Sequence, residues 1–111
     1  MIEKIVLDYL EQVLDVSVSM ERPEQVPEKY VIVEKTGSSR ENFIKSATLA
    51  LKSHADTLLH AAELNELVKN AMDSIVELDE VCRSELNSDY NFTDPTTKTY
   101  RYQAVYDLVH Y

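Results

Sequence analysis

A chain of 111 residues with 28% charged and 44% hydrophobic residues has the length and balance of one folded domain, spanning residues 1–111, and not of a disordered tail. Twenty Asp and Glu against 11 Lys and Arg give a formal net charge of -9 with the basic residues scattered singly, which excludes a basic surface for duplex DNA or an anionic membrane. Cys82 has no partner for an intramolecular disulfide, no apolar signal core follows Met1, and no apolar run approaches the roughly 20 residues of a membrane span, so a reducing, cytosolic setting without a membrane segment is expected.

From Ile2 to Leu14 the apolar positions 2, 6, 9, 10 and 13 form one stripe, which predicts a helix. Val16, Val18 and Met20 alternate with Ser17, Ser19 and Glu21, the period of a half-buried strand, and Pro23 stops it. After Pro27, the β-branched run Tyr30 to Val33 is apolar on both faces and bounded by Gly37, which predicts a central strand. Asn42 to Ala55 fits a helix by composition and a strand by alternation. One helix running on through the next segment would exceed the roughly 25 residues tolerated without a cap, so we place a strand before Asp56 and take Asp56 as the helix N-cap. Leu58, Ala61, Leu64, Val68, Met72 and Ile75 then follow the helical period.

Asp73 to Asp89 is the acidic part of the chain, with Arg83 its only basic residue after the helix, and a further strand is expected there. Asp94-Pro95 centres a loop over 91–99. The chain closes on Tyr100, Tyr102, Ala104, Tyr106, Leu108 and His110 alternating with Arg101, Gln103, Val105, Asp107 and Val109, a long final strand. The order predicts an α+β fold, a largely antiparallel sheet of about four to five strands with two helices packed on one face.

No catalytic, metal or cofactor-binding residue is assigned. A single glycine cannot build a phosphate-cradling loop, His54 and His60 lack the i, i+4 spacing of a helical metal pair, and Asp73, Glu77 and Glu80 lack a calcium-loop glycine. Acidic neighbours disfavour a Cys82 thiolate, which reads as a half-buried structural cysteine. Four of the seven tyrosines lie in the last twelve residues, two of them, Tyr100 and Tyr102, flanking Arg101, and Tyr with Arg is the composition of contact hot spots. With the polar segments 37–42 and 91–99, expected as mobile loops, the candidate interface is Arg40, Asn42, Tyr90, Phe92, Tyr100, Arg101, Tyr102 and Tyr106.

Met20-Glu-Arg-Pro23, Tyr30-Val-Ile-Val-Glu-Lys-Thr-Gly37, Tyr90-Asn-Phe-Thr-Asp-Pro95 and the strand from Tyr100-Arg-Tyr-Gln to His110 resemble the tail-terminator proteins of long-tailed bacteriophages and prophages. The resemblance covers nearly the whole chain and is most specific in Arg101-Tyr-Gln103. It implies a strand over 44–52 and a structural, non-enzymatic role. In that role a hexameric ring of identical subunits caps the head-proximal end of the tail tube, ends polymerisation and offers a surface for joining the head. The implied partners are other copies of the chain, the major tail-tube protein and a head connector or stopper protein. The implied location is the host cytoplasm during assembly, then the virion tail, with no membrane and no specific nucleic-acid binding. A connector or stopper in the same neck, or a small acidic monomeric adaptor of a basic protein, are the alternatives.

Overall fold

The computed structural model describes the whole chain, Met1–Tyr111. Helix α1 (Ile2–Val13) leads into β1 (Ser17–Ser19), β2 (Tyr30–Glu41) and β3 (Ile44–Ala55). Helix α2 (Leu58–Ser74) ends in a 3-10 turn, Ile75–Glu77, and β4 (Val81–Asn91) and β5 (Tyr100–His110) complete the chain. The strands form one sheet in the order β1-β2-β3-β5-β4, with β1 parallel to β2 and every other pair antiparallel. This is the α+β architecture expected, with a five-stranded mixed sheet.

Register explains why both helices share one side. Val33 lies opposite Leu51, Leu51 opposite Ala104, Leu49 opposite Tyr106 and Ala47 opposite Leu108, so the apolar alternate positions of three strands meet on a single face. Val6 and Leu10 of α1 and Leu64, Val68 and Met72 of α2 close over it to make one core. Helix α2 crosses that face between β3 and β4, leaving room for β5 to insert between them. The first helical stripe is narrower than its sequence pattern, because Val13 is exposed where α1 ends. Likewise only Val18 of the first alternating run is buried, and Met20 faces solvent.

Two boundaries differ from expectation. The α2 N-cap is Thr57, in extended conformation, with its Oγ1 accepting from the His60 N–H at 3.1 Å. Asp56 stands one residue too early to reach that amide and its carboxylate engages His60 Nδ1 at 2.8 Å. Gly37 does not end β2, which runs on to Glu41 through a register shift between Lys35 and Gly37. The chain reverses instead at Asn42 and Phe43, both at positive φ (49° and 68°), the geometry of a two-residue hairpin turn. Gly37 itself has no positive φ.

Candidate interaction surface

The sheet face away from the helices carries polar cross-strand contacts instead of a second core. Lys52 pairs with Glu34 at 2.5 Å, Thr48 donates to Asp107 at 2.7 Å, Asn87 donates to Asp107 at 2.9 Å, and Gln103 donates to Tyr90 at 2.6 Å. These pairs join β2, β3, β5 and β4 in turn and keep much of the face polar, whereas Tyr30 and His54 at one end of it are buried beside the segment of Arg22, Val26 and Pro27.

Strand alternation divides the residues that sequence placed together. Arg101 lies on this polar face with Gln103, whereas Tyr100, Tyr102 and Tyr106 fall on the helix side. The guanidinium of Arg101 sits 4.6 Å from the Phe92 ring centroid, and its Nε donates to the Phe92 carbonyl at 2.7 Å. Phe92 meets Tyr90 edge to face with centroids 5.8 Å apart. The side chains that converge are therefore Tyr90, Phe92, Arg101 and Gln103, at the end of the β4–β5 pair. Both Tyr90 and Phe92 are exposed.

Tyr106 is a correction to the candidate interface. It is 1% exposed, and its hydroxyl donates to the Lys69 carbonyl and to Asp73, each at 3.2 Å. Burial and the Asp73 carboxylate beside it push the phenol well above its usual range. A tyrosine on the alternating face of a central strand is core, and the apolar ring fills the space under α2. Tyr100 and Tyr102 are half-buried.

The segment 91–99, expected as a mobile loop, is internally tied. Asp94 bridges Thr99, Thr93 Oγ1 accepts from the Arg101 amide at 3.2 Å, and the Asp94 carboxylate accepts from the Thr96 amide at 2.9 Å. That amide is also the main reason the Asp94 carboxyl is held below its usual range. Segment 37–42 is strand and turn, with Arg40 and Asn42 exposed at the far end of the hairpin.

The acidic stretch is partly consumed inside the molecule. Asp89 accepts from Asn65 at 2.7 Å and Lys69 at 2.6 Å; burial would raise its carboxyl, and these two donors more than offset that. Glu77 accepts from the Tyr9 hydroxyl at 3.2 Å. No group of three or more His, Cys, Asp and Glu is arranged to hold a metal ion. Cys82, expected half-buried, is exposed.

One feature escaped sequence reasoning. His54, expected at a strand end, is 6% exposed with neither ring nitrogen hydrogen-bonded, stacked on Tyr30 at 4.5 Å between centroids. Burial first, then the charges of Arg101, Lys52 and Arg22, lower its pKa to about 4. The signal lay in the cross-strand pairing of Tyr30 with His54, which only the register reveals. No family model matches the chain, and no curated protein matches it.

Proposed function

We propose that the chain is a structural subunit of a tail-terminator type, assembling with copies of itself into a ring that caps the head-proximal end of a phage or prophage tail tube. The observation that carries this reading is the unlikeness of the molecule's two ends. A hairpin tip with Phe43 exposed projects at one end, and the β4–β5 cluster of Tyr90, Phe92 and Arg101 stands at the other. Closed rings arise from heterologous contacts, in which one surface of a subunit meets a different surface of the next. A net charge of -9 also suits a ring through which duplex DNA passes without sticking. The element order and the motifs around Pro23, Pro95 and Arg101 are those on which the resemblance rests.

The test mixes the purified chain with a major tail-tube protein from the same genome and images the products by electron microscopy. Shortened tubes with a ring at one end are expected. Tubes of unchanged length and bare ends overturn the reading, and stoichiometric capture of a connector without capping selects the neck-protein alternative.

A further inference from the structure

The first turn of α1 borders a cavity of about 370 Å³, in the size range of small-molecule sites. Its charged lining is Lys35, Arg40 and Lys45 against a single carboxylate, Glu3, with His110 beside them. On a chain of net charge -9 this is a local excess of cations. Arg40 lies directly opposite Lys45, and Lys45 opposite His110, so the three form a row across β2, β3 and β5. Lys45 shares the face of Ala47, which is core, and the row therefore stands on the helix side of the sheet. Glu41, next to Arg40, falls on the opposite face. Neither Arg40 nor Lys45 has an ion-pair partner, and like charges directly opposite one another weaken a sheet.

Helix α1 starts at this cavity without a side-chain cap. Its first backbone bond is that of the Ile5 amide to the Met1 carbonyl at 3.2 Å, so the Ile2, Glu3 and Lys4 amides are left over as donors. Glu3 itself is only 7% exposed. Lys35 Nζ approaches its Oε2 at 3.7 Å, whereas Oε1 is buried with no hydrogen-bond partner. A buried carboxylate oxygen needs a donor. The fitting ligand therefore presents anionic oxygens to the cations and amides and, on the same group, one O–H to Glu3. Sulfate has no such proton near neutral pH, whereas a phosphate with its second ionisation near pH 6 to 7 carries one.

We propose that this cavity binds a protonated phosphate group, free or as a phosphomonoester, with Arg40, Lys45 and the first-turn amides of α1 on its anionic oxygens and Glu3 accepting from its P–OH. Anion binding at an uncapped helix start uses the positive end of the helix dipole, and the cation row supplies charge-assisted bonds. Glu3 sets the selectivity: it accepts from a phosphate that carries a proton and repels a fully ionised anion of the same shape. Lys35, beside the other carboxylate oxygen, offsets part of that repulsion for the phosphate. The site lies within one copy of the chain and is independent of the ring proposed above.

The experiment titrates the full chain at about pH 6 with inorganic phosphate, phenyl phosphate and sulfate at matched ionic strength, followed by calorimetry and amide NMR. A phosphate ligand binds saturably, at least about tenfold tighter than sulfate, and shifts the amides of Ile2, Glu3 and Lys4. Inorganic phosphate binding at least as tightly as the ester assigns the free ion, and tighter phenyl phosphate assigns a monoester. The double variant Arg40→Ala, Lys45→Ala alters two exposed residues, keeps or raises the melting temperature, and loses at least about tenfold in phosphate affinity. Glu3→Gln brings phosphate and sulfate to within about threefold of each other. Phosphate that never saturates, sulfate bound as tightly as phosphate by the unaltered chain, or a double variant that binds like the parent each overturns the inference. Should Glu3→Gln fail to fold, the sulfate comparison on the unaltered chain and the double variant decide the matter.

Discussion

His54 links one buried ring to the pH dependence of the whole fold. Folded, it stays neutral down to about pH 4; unfolded, it takes up a proton near the ordinary histidine value of 6.5. Below that value the unfolded chain binds more protons than the folded one, so stability falls as pH drops from about 6.5 to about 4. The loss from this group is at most roughly 3 kcal/mol. His54→Phe keeps the stack on Tyr30 without a titrating nitrogen, and its melting temperature declines less than that of the parent across this window. Parallel curves for the two proteins would show that the ring is protonated or hydrated when folded. Arg101 is likewise internal in part. Arg101→Ala removes the bond to the Phe92 carbonyl and the contact with its ring, which together cost about 1–2 kcal/mol. Arg101→Lys keeps the charge and loses the planar fork, so calorimetry places it between the two. If Arg101→Ala melts like the parent and still blocks tail joining, the residue serves an interface instead of the fold.

At the scale of elements, the helix start and the hairpin turn decide the local structure. Thr57 supplies one side-chain acceptor for the orphan amides of α2, and Thr57→Ala costs about 1 kcal/mol, read from denaturant midpoints at unchanged slope. Asp56→Ala loses only an exposed contact with His60 and shifts the midpoint less. Equal losses would mean that Asp56 also caps. The β2–β3 ladder continues from Lys35 to Glu41, and β3 stays paired with β5 as far as Lys45, so only the turn extends beyond the sheet. Gly37 faces open space, where an added Cβ meets nothing within 4 Å. The sole glycine of the chain therefore marks a change of register and not the turn, which is why composition misplaced the end of the strand.

For the molecule as a whole, periodicity was enough to predict the α+β class and the long terminal strand, because burial of one face imposes a period of 2 or 3.6 on the chain itself, whereas the strand before the second helix also needed the length limit on an uncapped helix. The acidic net charge and the lack of glycine-rich or ligand-spaced motifs were equally legible, being properties of composition. What only tertiary structure decided is which residues face each other. Arg101 and Tyr102 are neighbours in sequence yet stand on opposite sides of the sheet, while Arg101 and Phe92 come together across β4 and β5. Tyr106 was indistinguishable from Tyr90 in sequence; the insertion of β5 between β3 and β4, under α2, buried one and left the other exposed. The same pairing stacked His54 on Tyr30 and carried Phe43 to the tip of a hairpin. Local sequence fixes the direction and period of each strand, but its neighbours are set by contacts distant along the chain, and those contacts decide which side chains are core and which are surface.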